Sequence, residues 1–303
     1  MRSLLAPFVL LVAAAIPAQQ LVDSRNDNLS YGSYAVGWPS SVIAFRFTAT
    51  QTTSLGAAQI FTGNSTPASH SLEIRTVDAV TGNPAVLLGQ AGTWTTTHTR
   101  CWQGAVFAQP AAVVAGQDYF LVWRVQGMFP QHSVSADTEP TNVMVETRYS
   151  DGATWHTTTQ TAGKFRLYAD GGAPGTNSTY GAGKPGQYGV PTIGLEGWPA
   201  LGNPVDVWLD NSARNAIAIL VVGFPIPGGA PIGIVDLYAT PEILVAFVTK
   251  THTSPLCGGF SATFSVPNDP TYHALPLSFQ WVVVDALAVD SFSHTGGATA
   301  YIP

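Results

Sequence analysis

The 303-residue sequence predicts an all-β fold of two β-sandwich domains, the N-terminal one jelly-roll-like. Three observations lead there. Short runs of alternating apolar and polar residues are punctuated by Gly, Pro, Asn and Asp, and no stretch keeps a helical period for more than about ten residues. Charged residues make up only 10% of the chain against 46% hydrophobic. The surface is dressed instead in Thr, Ser, Gly, Gln and Asn, which suit strands and turns better than helices. The length fits two domains of roughly 150 residues each.

Residues 1–18 read as an export signal, with Arg2 as a short positive region, an apolar core over 4–16 and small residues for cleavage at 13–18. The apolar run is shorter than the roughly 20 residues of a membrane-spanning helix, and no later stretch qualifies as a span. The expected product is secreted, extracellular or held at the cell surface, with the periplasm as the other compartment.

Residues 19–169 supply the first set of strands. Positions 44–50 place Phe45 and Phe47 on one face and Arg46 and Thr48 on the other, and 70–78 repeats the pattern with Leu72 and Ile74. In 117–126, Tyr119, Leu121, Trp123 and Val125 share a face after the turn-forming Ala115-Gly116. Further strands are expected at 53–62, 86–94, 101–109, 142–149 and 164–168. About eight strands of this length make a sandwich or jelly roll.

Residues 170–186 read DGGAPGTNSTYGAGKPG, with six glycines and two prolines, and are expected to be a linker or domain-entry loop. A second β domain, 187–303, follows with strands at 205–209, 216–222, 234–239, 244–250, 259–266, 275–285 and 298–302. Its run AIAILVVGF at 216–224 is continuously apolar, which suggests a central strand covered on both faces; a short buried helix is the alternative.

Several stretches carry a resemblance: YGAGKPGQYGVPTIGLEGWPALGNP, LVVGF, VDLYATP, FSVPNDP and LSFQWVVVDA. Together they resemble a β domain that recurs at the C-terminus of secreted proteins from planctomycete-type and related bacteria. Members often carry cysteines where Lys184 and Val235 stand here; the joint absence fits loss of one disulfide and leaves Cys257 outside that pattern. The resemblance implies fold, bacterial origin and export, and assigns no chemistry to particular residues. The first half, through AFRFTAT, SLEIRTVD, VVAGQDYFLVWRV, YSDGATW and KFRLYA, resembles jelly-roll modules of the carbohydrate-binding or choice-of-anchor type. In such modules an aromatic near the final strands sits at a glycan or anchor site, although the fold hosts many unrelated roles.

Net charge is −6 and the chain has three lysines, Lys164, Lys184 and Lys250, so no basic stripe exists to neutralise phosphates. Nucleic acid is therefore not an expected partner, and anionic membrane surfaces are disfavoured. Trp155 stands out because it lies in the turn-rich 150–156 segment rather than on an alternating face. An exposed indole stacks on the apolar face of a sugar while polar groups fix its hydroxyls, and Asp151, His156 and Arg148 are the polar neighbours. The competing reading is a tryptophan closing a loop over the sandwich edge. Trp94 and Trp102 admit the same two readings, patch or core.

The segment 23–28 concentrates oxygen-bearing side chains, and Asp23, Asp27 and Asn28 are candidate calcium ligands. The spacing does not match the twelve-residue helical calcium loop, and Asx turns without metal are the competing explanation. No other cofactor is expected. Cys101 and Cys257 either form a disulfide or stay as two separate buried thiols. Catalytic raw material is sparse: the chain has five glutamates, seven singly scattered histidines, and no G-x-S-x-G elbow, H-E-x-x-H helix or P-loop.

The leading expectation is a secreted, non-enzymatic protein that binds carbohydrate or a cell-surface polymer through its N-terminal module. One alternative is a matrix or surface-layer component without a soluble ligand, which requires an exposed apolar patch or free strand edge for self-association. The other is a secreted glycoside hydrolase, which requires two carboxylates facing one cleft.

Overall fold

A computed structural model describes residues 20–25, 34–36, 42–62, 68–96, 101–126, 132–134, 145–150, 153–157, 163–171, 176–251 and 258–303. The predicted all-β class holds: the regular elements among the described residues are strands and two short 3-10 turns, Pro270–Tyr272 and Val289–Ser291.

The first half contributes β1 (Leu21–Arg25), β2 (Tyr34–Val36), β3 (Val42–Thr48), β4 (Thr53–Thr62), β5 (Ala68–Val77), β6 (Pro84–Thr96), β7 (Cys101–Val113), β8 (Asp118–Gln126), β9 (His132–Val134), β10 (Thr147–Ser150), β11 (Trp155–Thr157) and β12 (Phe165–Ala169). They form antiparallel sheets in the orders β1-β12-β4-β7 and β11-β10-β3-β8-β5-β6, with β2 pairing β9 separately. Side chains alternate across each strand, so one face of each sheet is apolar and the two faces stack. Register aligns Phe45 with Leu121 and Phe47 with Tyr119. These residues join Ile43, Trp123 and Val125 from their own sheet and Ile60, Phe165 and Leu167 from the opposite one in a single buried core. The chain enters β8 through Gly116, whose φ of 77° is open to glycine without steric cost.

The second half contributes β13 (Thr176–Tyr180), β14 (Thr192–Glu196), β15 (Pro204–Ser212), β16 (Ile217–Gly223), β17 (Pro225–Ile232), β18 (Val235–Ala239), β19 (Ile243–Val248), β20 (Lys250–Thr251), β21 (Gly258–Ser265), β22 (Pro276–Val284), β23 (Phe292–His294) and β24 (Gly297–Tyr301). One sheet runs β13-β24-β22-β16-β19 with β23 on β22, the other β14-β15-β21-β20, and β17 and β18 form a hairpin. Val205, Val207 and Leu209 of β15 meet Leu220 and Val222 of β16 and Phe279, Trp281 and Val283 of β22 in a second core. The apolar run at 216–224 is thus a strand and not a helix. Its inner face fills the core, and Val221 on the outer face is covered by Leu237 and Ala239 of the hairpin.

The Gly/Pro-rich stretch 170–186 is not linker throughout. Within it β13 pairs β24 along its length, from Thr176 opposite Tyr301 to Tyr180 opposite Gly297. The β-favouring Thr and Tyr there belong to the second sandwich.

The two sandwiches meet through polar residues on strand faces turned away from their own cores. Arg166 of β12 and Asp206 of β15 form an ion pair at 2.7 Å with both side chains fully buried. The Arg166 guanidinium lies 3.9 Å from the centroid of the Trp102 ring, and Thr263 donates a hydrogen bond to Asp206. Around them, the Tyr168 hydroxyl donates to Gln59 Oε1 at 2.6 Å, and the Tyr168 ring meets Trp198 edge-on at 4.9 Å.

Candidate functional site

The predicted aromatic site lies on the outer face of the six-stranded sheet. β11 pairs β10 with Trp155 opposite Ser150, and β10 pairs β3 with Ser150 opposite Val42. Trp155 is therefore in a strand, a correction to its expected place in a turn. Three paired residues on an edge are too short for alternation to show. Its indole is half-buried against an apolar patch of Val42, Ala44, Phe120 and Val122, which face away from the main core.

Arg148 shares that face, opposite Ala44 and Thr157. It is only 9% exposed and pairs through Nη2 with Glu146, while Nε and Nη1 are buried without hydrogen-bond partners. His156 stands opposite Tyr149 in the register, so its side chain takes the other face, where it stacks on the Tyr149 ring at 5.0 Å and 22°. Asp151 lies outside the described residues. The structure thus brings Trp155 and Arg148 together and turns His156 away.

Four of the chain's nine arginines, Arg46, Arg75, Arg124 and Arg148, lie on this face and hold its carboxylates. Arg46 pairs with Asp118 at 2.6 Å and with Glu146 at 2.9 Å. Arg75 and Arg124 each reach Glu73 at 2.7 Å. The Thr48 hydroxyl, and after it Arg46, holds the Asp118 carboxyl below its ordinary range. A glycosidase acid needs the opposite environment, one that keeps a carboxyl protonated near neutrality.

Of the proposed calcium ligands, Asp23 is described. One of its oxygens accepts from Arg25 at 2.6 Å and the other is buried without a partner. Burial raises its proton affinity against the pull of Arg25. Asp27 and Asn28 lie outside the described residues, and no cluster of three His, Cys, Asp or Glu groups occurs among the described ones. Trp94 takes its core reading, whereas Trp102 is buried where the two sandwiches meet. Trp102 is fully buried beneath Arg166. Trp94 stacks at 5.0 Å on His70, whose Nδ1 accepts a 3.0 Å hydrogen bond from Trp123 Nε1. Cys257 and the Cys101 side chain lie outside the described residues.

The sequence pattern did not show that β19 ends its sheet: among the described residues no strand pairs its far side. It pairs β16 on one side and closes its sheet on the other. All six of its residues, ILVAFV, are apolar, and Ile243, Leu244, Val245 and Val248 are 46%, 60%, 40% and 58% exposed. Ile217 of the neighbouring β16 extends this surface at 51% exposed. The segment reads correctly as a strand, but apolarity on both faces is equally the mark of a buried central strand.

No helix among the described residues is long and apolar enough to cross a membrane. Neither a protein-family model nor a curated protein matches the chain.

Proposed function

We propose that this chain is an exported, non-enzymatic building block of the cell exterior, joined to its neighbours by strand addition at β19. The observation that carries the reading is the uninterrupted apolar edge Ile243–Val248, exposed except at Phe247, which packs on Phe260 and Trp281 of the core. Soluble β proteins guard sheet edges with charge, proline, bulges or brevity, because an open row of N–H and C=O groups templates pairing. An unguarded six-residue apolar edge is kept where a partner covers it. Export rests on the apolar segment at 1–18 and on the resemblance of the second half to secreted bacterial proteins. Sedimentation velocity across a concentration series tests the reading. Wild type associates as concentration rises and Leu244→Lys does not; a wild type that stays monomeric at high concentration overturns it.

A second reading, an N-terminal jelly-roll-like module binding an extracellular polymer, is favoured by the half-exposed Trp155 indole beside the arginine-rich face. A glycan array probed with wild type and Trp155→Ala decides it, and equal binding by both removes this site.

A further inference from the structure

Resting on the polymer-binding reading of the first sandwich, we infer that its ligand is an acidic polysaccharide laid across the strands, with a sugar ring on Trp155 and an acidic group on Arg124. The strand registers place both residues on one line. Trp155 stands opposite Ser150, Ser150 opposite Val42, Val42 opposite Arg124, Arg124 opposite Ser71 and Ser71 opposite Thr93. Paired residues share a face, so this row crosses all six strands on the outer side of the sheet. Neighbouring strands lie about 4.8 Å apart, which sets Trp155 roughly 14 Å from Arg124, a span that calls for a chain of sugars rather than one ring.

The charges on this face point to Arg124. At one end Arg46 and Arg148 are matched by two carboxylates, Asp118 and Glu146. At the other, Arg75 and Arg124 share Glu73 alone, which leaves one positive charge there without a paired carboxylate among the described residues. Asp78, just past β5, directs its carboxylate to the Val80 and Thr81 amides of its own turn. The two arginines on Glu73 are held differently. Arg75 donates through Nε to Glu73 and through Nη1 to the Ala85 carbonyl, whereas Arg124 donates through Nε alone. The Arg124 side chain is 34% exposed, so its terminal nitrogens present to solvent the planar fork that grips a carboxylate or sulfate. The unused nitrogens of Arg148 are buried and out of a ligand's reach.

The rest of the row suits a sugar chain. Trp155 rests on the buried floor of Val42, Ala44, Phe120 and Val122, which holds the indole in place while part of it stays exposed to stack on the apolar face of a ring. Beyond Arg124, the exposed Thr93 offers a hydroxyl to the hydroxyls of a further sugar. One aromatic platform and one unmatched guanidinium fit a polymer that carries both apolar ring faces and acidic groups. A nucleic acid fits poorly, because its phosphates recur at every unit and need a run of cations, while this chain has a net charge of −6.

The test uses two pairs of polymers that share a backbone and differ in charge: polygalacturonate with its methyl ester, and dextran sulfate with dextran. Titration calorimetry on the full chain is expected to show at least one acidic member bound roughly tenfold more tightly than its neutral counterpart. Arg124→Gln is expected to abolish that preference and leave binding of the neutral polymer unchanged, and Trp155→Ala to weaken both members. Added salt should erase the preference, and Arg124→Lys should keep part of it, since the charge stays while the fork is lost. If Arg124→Gln does not fold, Arg124→Lys and the salt series decide. Equal binding within both pairs sinks the acidic class and leaves a neutral polymer standing as the ligand. A preference that survives Arg124→Gln sinks Arg124 as its source. Binding of none of the four overturns the inference, and the polymer-binding reading falls with it only if the glycan array is blank as well.

Discussion

The two sandwiches finish their sheets differently. In the first, the long terminal strands β6 and β7 close on each other, and glycine lets them do so: a Cβ on Gly89 would stand 2.2 Å from the Gln109 carbonyl oxygen, and one on Gly92 would stand 2.7 Å from the Ala105 Cβ. Its other edges are the three-residue β11 and β1, which carries the Asp23–Arg25 ion pair. In the second sandwich β13 is short and polar, whereas β19 is apolar along its whole length and has no strand on its far side among the described residues. Each sandwich has a complete core, yet among the described residues only the second ends a sheet on a long apolar strand. A domain can therefore be finished as a folding unit while remaining unfinished as a surface.

The largest effect is expected where the two sandwiches touch. Removing one member of a buried ion pair leaves the other charge stranded, which costs about 3–5 kcal/mol. Asp206→Ala or Arg166→Met should lower stability by that amount in denaturant titrations, and the joint replacement Arg166→Met/Asp206→Leu should recover most of it. A cost near zero would show that the sandwiches hold together without this pair.

Next in size is a pH dependence confined to the first sandwich. Burial holds the His70 imidazole down to about 4 from its ordinary 6.5, and the Trp123 hydrogen bond to Nδ1 fixes the neutral tautomer. The unfolded chain takes up a proton below about 6.5 while the folded one resists until about 4. The stabilisation is therefore complete above pH 6.5 and is lost as pH falls through that window, by roughly 3 kcal/mol. Tryptophan-monitored unfolding should show this slope, and His70→Gln should flatten it.

A matched pair of edge substitutions sharpens the comparison directly. Leu244→Lys on β19 should reduce association by about a hundredfold, or about 2.7 kcal/mol. Val86→Lys on β6, at a residue 65% exposed, should change nothing. Both should keep wild-type stability within about 0.5 kcal/mol. Equal effects from both would erase the distinction between the edges. The smallest change is expected from Trp155→Ala, which uncovers part of the Val42/Phe120 patch and should cost about 1–2 kcal/mol in thermal or chemical unfolding.

Much of the fold was legible because burial on one face writes itself into a strand with period two. Tyr119 through Val125 place the predicted residues on the core face, Val205 through Leu209 form the predicted strand, and β4 has the expected bounds of 53–62. Strands without that contrast were missed: β13 is polar throughout and lies among glycines, and β11 is too short to show a period. The candidate site was only half legible. Local order placed Arg148, Trp155 and His156 close together, but pleating sent His156 to the face opposite the other two.

The sequence by itself determined that this is a β protein with two cores, since each strand's inward set is encoded in its own residues. Tertiary structure decided what lies beyond those cores: that Asp206 would be buried against Arg166, that Trp155 would lean on an apolar patch, and that β19 would be an edge. The reason is physical. Which way a residue points is a local property of the chain, whereas what stands in front of it depends on the order in which distant strands pair.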